Sequence, residues 1–256
     1  MFDLELYQKY LSTSYIGKNI QYDEALISTN TKALELASTN INDGTIIITD
    51  NQTSGRGRNS NKWFSIPGKS LTFSMILYPK ILINQINYFS LIAGLAVSDT
   101  LIDLGITPQL KWPNDILINN KKVGGILCES KLSGNSINTL VIGIGLNINE
   151  DIDGFPDQLK STSTTLFSAS GKQNKLEIVL AKLLNNFEKR IYLIDSIDQQ
   201  FIEWENRCGH LNSKITFHHN EKIIKGIFKG LSNNGEAIVL VDDQERIFNS
   251  GELEMF

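Results

Sequence analysis

Four short segments of this 256-residue chain carry residue types suited to holding an anionic ligand close to the backbone. The first is Gly55-Arg56-Gly57-Arg58, followed by Trp63. Glycines let a backbone pass near a ligand, guanidiniums are planar and permanently charged donors for phosphate or carboxylate, and an indole can stack on a base. Alone, the stretch also reads as a solvated loop or as a single RGG-like nucleic-acid segment, the latter a poor case in an acidic protein. The second is Lys111-Trp112-Pro113-Asn114-Asp115. Pro and Asn favour a tight turn between strands, from which Asp115 would project a carboxylate beside Lys111. A purely structural, salt-bridged turn has the same signature. The third, Lys122-Val123-Gly124-Gly125-Ile126-Leu127, sets two glycines in a strand, where they weaken packing and mark a close approach to the backbone. Lys122 would meet an anion there; a bulge with an exposed lysine is the plainer alternative. The fourth, Gly143-Ile144-Gly145-Leu146-Asn147, alternates glycines so that one strand face lies flush against a neighbour or ligand. It does not open a helix as GxGxxG does, and no GxxxxGK[ST] occurs, which excludes Rossmann and P-loop readings.

These segments need elements to hold them. Tyr22–Ile27 reads as a strand, and Ser28-Thr29-Asn30 supplies capping residues for a short helix over Thr31–Ala37. Thr45–Thr49 is apolar on both faces, as a central strand is. Residues 50–69 form a long polar loop, and such loops are often functional. Ser70–Leu77 alternates as a strand, with Leu71, Phe73, Met75 and Leu77 on one face. Tyr88–Leu104 follows a helical period that Gly105 ends. Ile116–Ile118 and Val123–Leu132 flank an Asn119-Asn120 hairpin turn, and Ser133-Gly134-Asn135 leads into Ile137–Asn147. Short turns between successive strands imply antiparallel pairing. Leu176 to Ile191 forms a long amphipathic helix and Ile197–Arg207 a second one. Beyond Gly209, Lys214–His218, Ile223–Phe228, Ala237–Val241 and Arg246–Phe248 are short strands joined by turns such as His219-Asn220, the texture of a small barrel. The boundary is placed so that residues 1–208 form one domain and 209–256 the second.

Composition narrows the chemistry. Lys and Arg number 24 against 28 Asp and Glu, a net charge of −4 that suits neither a general nucleic-acid binder nor an anionic-membrane binder. The three histidines are His210, His218 and His219, so no Ser-His-Asp triad lies within the first two hundred residues. Cys128 and Cys208 make neither a disulfide framework nor a zinc motif. No signal peptide and no run approaching the ~18 apolar residues of a membrane span is present, so the expectation is a soluble cytoplasmic protein. Two arginines, lysines, one or two carboxylates, a glycine floor and a tryptophan together suit a nucleotide plus a small carboxylic acid. Acyl-adenylate formation fits that inventory, because it needs positioning and charge neutralisation more than a histidine base.

The ordered set Ser28-Thr29-Asn30, Gln52, Gly55-Arg56-Gly57-Arg58 with Trp63, Lys111-Trp112-Pro113-Asn114-Asp115, Lys122-Val123-Gly124-Gly125-Ile126 and Gly143-Ile144-Gly145-Leu146-Asn147 resembles the biotin–protein ligases over nearly the whole chain. The resemblance implies an α+β protein: a mixed, largely antiparallel sheet with helices, like the class II aminoacyl-tRNA synthetase and biotin ligase fold, followed by a small SH3-like barrel. It implies that biotin and MgATP give biotinyl-5′-AMP, and that a lysine of biotin carboxyl carrier protein, as in acetyl-CoA carboxylase, then takes the biotinyl group. Carried over by position, Ser28, Thr29, Asn30 and Gln52 hold the ring end of biotin, with Gly125, Gly143 and Gly145 lining its site. Arg56, Gly57 and Arg58 cover the carboxylate and α-phosphate in a loop that orders on ligand binding. Lys122 bridges those two groups. Trp63 and Asn147 flank the adenine, Lys111 and Asn114 contact the nucleotide, and Asn114 is the one candidate beside Mg²⁺. Lys122, Arg58 and Asp115 are the catalytic set, Asp115 orienting or deprotonating the carrier lysine. The loop continues Asn59-Ser60-Asn61-Lys62, fewer cations than several family members carry. Only 27 residues precede Ser28, short of the ~50 of an independent domain, so a monofunctional ligase that does not bind DNA is expected. An exposed strand edge would allow a homodimer. The alternatives are a lipoate or octanoate ligase of the same fold and a non-catalytic biotin-binding module.

Overall fold

The computed structural model describes residues 2–134, 136–219 and 222–255; Asn135 and Asn220, assigned above to turns, lie outside the described residues. The chain opens with α1 (Leu4–Tyr10), started by Asp3, whose side chain accepts from the Leu6 amide. Then come β1 (Ile20–Leu26), α2 (Thr29–Leu36), β2 (Ile46–Gln52), β3 (Ser70–Leu77), the two-residue β4 (Ile81–Leu82) and α3 (Ile86–Asp103). β5 (Gln109–Lys111), β6 (Asp115–Ile118), β7 (Lys121–Ser133) and β8 (Ser136–Asn147) follow, then α4 (Asp157–Lys160), α5 (Leu166–Ser170), α6 (Leu176–Tyr192) and α7 (Ile197–Asn206).

The first eight strands form one sheet in the order β1-β2-β3-β8-β7-β6-β5, with β4 added at the end of β8. Among the described residues of these strands, β1 and β2 pair parallel and the other strand pairs are antiparallel. The sheet is therefore mixed and mostly antiparallel, as the run of short turns required. β3 is buried along its whole length because both of its faces are covered. Leu71, Phe73 and Met75 enter the main core with α3 and α6, whereas Ile76 joins Ile47 and Val141 under Ala33 of α2. α3 is apolar on nearly every side, and it lies between the sheet and the helices α6 and α7, which is where such a helix must be. Asn119 and Asn120 adopt φ of 51° and 60°, the left-handed pair that a two-residue hairpin needs.

Two local readings change. The helix begins at Thr29, so Thr29 and Asn30 are its first residues rather than its caps. Ser28 does occupy the cap position, but its side chain makes no capping bond. β2 also runs on to Gln52, which shortens the polar loop at its start.

The C-terminal strands β9 (Lys214–His219), β10 (Lys222–Leu231), β11 (Ala237–Val241), β12 (Gln244–Phe248) and β13 (Glu252–Met255) form an antiparallel sheet in the order β12-β11-β10-β9-β13. β13 is an additional strand, paired to β9 with Leu253 opposite Phe217. Phe217 of β9 and Phe248 of β12 lie three strands apart in that order, about 14 Å in a flat sheet. Their ring centroids are 4.7 Å apart, so the sheet curls strongly on itself. This unit docks on the larger one through buried Trp112, whose Nε1 donates to the Gly235 carbonyl at 3.2 Å and whose ring meets Phe217. Phe217 and Phe228 belong to the same apolar core as α3 and α6.

Candidate active site

The α2 face of the large sheet carries a cleft walled by the start of α2, the loop after β2 and the turn between β5 and β6. Its floor is β7 and β8, where Gly125 pairs with Gly145 and Leu127 with Gly143. The glycines are needed for what lies over them. A Cβ on Gly143 would overlap the Asn30 amide, and one on Gly145 would overlap the Trp63 indole.

The cations are set by a break in register. Between β6 and β7 the pairing passes from Ile116–Gly124 to Leu117–Lys122, leaving Val123 as a bulged extra residue. Without it, Lys122 and Gly125, three positions apart, would point to opposite faces. The bulge reverses that parity, and a Cβ on Gly125 would lie 3.3 Å from the Lys122 Cε. Lys122 Nζ thus reaches Asp115 Oδ1 at 2.5 Å, while Lys111 Nζ stands 4.0 Å from the other Asp115 oxygen. The Lys122 backbone is pinned separately: its N–H donates to Thr162 at 2.8 Å and its carbonyl accepts from Thr164 at 2.9 Å. The plain reading of this segment, a bulge with a lysine, is correct about the bulge, and the bulge is what turns the lysine into the cleft.

The loop after β2 folds back over the opening, with the Trp63 N–H on the Gly55 carbonyl and the Gly57 N–H on the Asn61 carbonyl. Arg58 starts a short 3₁₀ turn in which Asn59 and Ser60 are left-handed. Its Nη1 donates to Asn114 Oδ1 at 3.4 Å and to the Gly251 carbonyl of the small sheet at 3.3 Å. Burial works against the Arg58 charge and lowers its pKa, while the nearby carboxylates of Asp115 and Glu252 oppose that shift. Arg56 turns to the other end of the cleft, where Nη2 meets Glu129 Oε1 at 2.6 Å and Nη1 meets Thr31 Oγ1 at 3.3 Å.

The deep end is a polar cluster at the start of α2. Gln52 Oε1 accepts the Thr29 N–H at 2.8 Å. Asn30 Nδ2 donates to the Leu127 carbonyl at 3.2 Å and to Glu129 Oε2 at 2.8 Å. Ser74 Oγ lies 2.6 Å from Asn30 Oδ1 and 2.7 Å from Thr29 Oγ1. Ser28, Thr29 and Asn30 are all buried.

Ser28, Thr29, Asn30, Gln52, Arg56, Gly57, Arg58, Trp63, Lys111, Asn114, Asp115, Lys122, Gly125, Gly143 and Gly145 all line this cleft. Asn147 does not: it is buried beside it, with Nδ2 on the Thr164 carbonyl at 3.0 Å and Oδ1 lacking a hydrogen-bond partner among the described residues. Trp63 Nε1 is likewise buried without one. The sequence reading missed Phe73, Ile144 and the small sheet's Gly251-Glu252-Leu253, all of which line the cleft. It also missed Glu129, for which an acid on an apolar strand is the only signal. A glycine floor, the four cations Arg56, Arg58, Lys111 and Lys122, a carboxylate between two of them and a buried polar pocket suit the activation of a small carboxylic acid by a nucleotide.

Comparison with known proteins agrees. Residues 24–147 match the biotin/lipoate A/B protein ligase family and residues 210–255 the biotin protein ligase C-terminal domain. The chain is 35% identical over 242 residues to the bifunctional ligase/repressor BirA of Bacillus spizizenii, covering 93% of this chain and 73% of that one. It is 30% identical to the biotin–[acetyl-CoA-carboxylase] ligase of Paracoccus denitrificans, covering 83% and 90% of the two chains. The structure of the Aquifex aeolicus biotin protein ligase in complex with biotin and ATP superposes with a TM-score of 0.80 at 32% identity, over 93% of this chain and 99% of that one. The chain belongs to the biotin protein ligase family.

Proposed function

We propose that this chain activates biotin with ATP and transfers the biotinyl group to a lysine of a biotin carboxyl carrier protein, as in acetyl-CoA carboxylase. The observation that carries the reading is the bulge at Val123, which aims Lys122 at the glycine floor between Asp115 and the Arg58 loop. In the first step a biotin carboxylate oxygen attacks the α-phosphorus and the bond to the β-phosphate breaks, releasing pyrophosphate. Lys122 and Arg58 neutralise the charge that builds on the phosphate oxygens. In the second step the carrier amine attacks the acyl carbon, and the bond to AMP breaks. Asp115 accepts the proton of that amine, which must be neutral to attack.

The ring end of biotin sits among Ser28, Thr29, Asn30 and Gln52, over Gly143, and its carboxylate points toward Lys122 and the Arg56–Arg58 loop. Trp63 covers the nucleotide end above Gly145, and Asn147 supports the wall behind it through Thr164. Mg²⁺ is assigned to the substrate, entering as MgATP and held mainly by phosphate oxygens. Among the described residues no cluster of His, Cys, Asp or Glu is placed to hold a metal. Asn114 spends its amide on the Ile126 carbonyl and turns Oδ1 to Arg58, a competing cation. Residues 1–208 form the catalytic domain and 209–256 the small barrel, which completes the site through Gly251–Leu253. β1 ends the large sheet and leaves an edge on which a homodimer could form.

ATP–pyrophosphate exchange with biotin, run beside lipoate and octanoate, tests the reading. Exchange dependent on biotin supports it. Exchange with lipoate or octanoate alone moves the chain to the other branch of the family, and no exchange with any acid leaves a binding module.

A further inference from the structure

We propose that Glu129 is a positioning residue that fixes the hydrogen-bond polarity of the biotin-ring pocket and ties that pocket to the Arg56 loop; this rests on the function proposed above. Glu129 lies on β7, with one carboxylate oxygen on Asn30 Nδ2 at 2.8 Å and the other on Arg56 Nη2 at 2.6 Å. Neither contact is local: the partners lie 99 and 73 residues away in sequence.

Counting protons along the cluster shows what the carboxylate sets. Glu129 and the Leu127 carbonyl only accept, so the Asn30 amide must turn Nδ2 toward both of them. Asn30 Oδ1 therefore faces Ser74 and can only accept. The single Ser74 proton goes to Asn30 over 2.6 Å, and the Thr29 proton then goes to Ser74 over 2.7 Å in preference to Gln52 Oε1 at 3.2 Å. Gln52 Oε1 is taken by the Thr29 N–H, which leaves Gln52 Nε2 as a donor. The pocket thus presents unused lone pairs on Thr29 together with an amide donor on Gln52. A ureido group, with two N–H donors and one carbonyl, is the complement of that set. Without Glu129, Asn30 has one fewer reason to hold its orientation, and the chain of donors through Ser74 and Thr29 is free to reverse. The Arg56 contact gives the same carboxylate a second role, since the loop that covers the ligand is held by the residue that orders the ring pocket.

The two roles separate by substitution, because a glutamine at this position still accepts from Asn30 through its carbonyl oxygen but loses the charge that holds Arg56. Exchange kinetics and the rate of biotinyl-AMP release are measured for wild type, Glu129→Ala and Glu129→Gln, with thermal melting of each. Glu129→Ala is expected to raise KM for biotin about tenfold or more, with KM for ATP within about twofold of wild type. Glu129→Gln is expected to recover most of the biotin KM while still releasing biotinyl-AMP several-fold faster. Equal changes in both KM values, an unchanged biotin KM in Glu129→Ala, or no recovery in a folded Glu129→Gln overturns the proposal. Failure of wild type to exchange with biotin overturns the functional reading instead. Should Glu129→Ala not fold, the comparison of Glu129→Gln with wild type alone decides: unchanged biotinyl-AMP release overturns the coupling to the loop.

Discussion

Gly143→Ala is the sharpest test of the proposed ring pocket. The added methyl would overlap Asn30, lying 2.8 Å from its Cγ and 3.1 Å from Nδ2, and nearer still to Oδ1. Asn30 is 4% exposed and its amide is held on three sides, by Leu127, Glu129 and Ser74. Two responses are open. If Asn30 holds its place, the strand must shift, at the ~1–3 kcal/mol typical of overpacking. If Asn30 rotates away, it gives up a charge-assisted bond of about 1.5–3 kcal/mol and neutral ones of about 1 kcal/mol each. The less costly path is strain of about 2 kcal/mol, a fall in Tm of roughly 4–8 °C for a domain of this size. Either path moves the amide that borders the ring pocket, so the biotin Kd measured by calorimetry should rise at least about tenfold while the ATP Kd changes less than about twofold. Combining Gly143→Ala with Asn30→Ala makes room for the methyl but forfeits the Asn30 bonds, so the double variant should lose less Tm than the sum of the two single variants and should not regain biotin affinity. A Gly143→Ala protein with wild-type Tm and wild-type biotin affinity would refute the reasoning, since the space assigned to Asn30 would then be vacant.

Lys122→Ala should leave the fold intact, because the backbone bonds of Lys122 to Thr162 and Thr164 do not involve its side chain. Biotin-dependent pyrophosphate exchange should nevertheless fall about a hundredfold or more, and unchanged turnover would remove Lys122 from the chemistry. Arg58→Gly removes the contacts to Asn114 and Gly251 that hold the loop against the small sheet. Release of biotinyl-AMP, followed by rapid filtration, should speed up about tenfold, and labelling of unrelated proteins should rise with it. His210 is buried, with its ring 4.4 Å from that of Phe228, and burial lowers its pKa from the ordinary 6.5 to about 3. Its unfolded form takes a proton first as pH falls, so stability held above pH 6.5 is lost progressively down to about pH 3. Melting of wild type against His210→Phe from pH 8 to pH 4 should show a steeper acid loss in wild type, and parallel curves would rule out the residue.

What the sequence made legible depended on how local the cause was. α6 repeats its apolar residues over 17 positions, so its period alone defines a face. Asn119-Asn120 names its own turn, because asparagine tolerates the left-handed backbone that a hairpin needs. The cleft motifs were legible for the same reason: glycine pairs in a strand and an arginine-glycine loop are locally unfavourable and so announce a ligand or a close neighbour. β13 was not legible, since its partner β9 lies more than thirty residues earlier and its own run, Glu252-Leu253-Glu254-Met255, is too short to show a period. Glu129 escaped because an acid on one strand face looks solvated until α2 and the loop are placed over it. The helix start was read two residues late: Gln52 of β2 takes the N–H of Thr29, the first helical residue, a contact made across two elements.

The bulge at Val123 shows how little separates a structural strand from a site. β6 and β7 pair regularly as far as Ile116 and Gly124, and in an unbroken ladder the side chain of Lys122 would point into the apolar layer under α3. A buried lysine without a partner there would be costly, so the sequence Lys-Val-Gly-Gly is compatible with this sheet only if the register slips by one residue. The slip places Val123 in the core, where it is fully buried, and Lys122 beside Asp115. One extra residue therefore meets the packing demand of the valine and the electrostatic demand of the lysine together. The 162–164 segment, bonded to the Lys122 backbone on both its N–H and its carbonyl, continues the pairing of β7 beyond Gly124, where the ladder with β8 ends. The position of Lys122 thus rests on the backbone of β7 and its two neighbours rather than on the loop above the cleft.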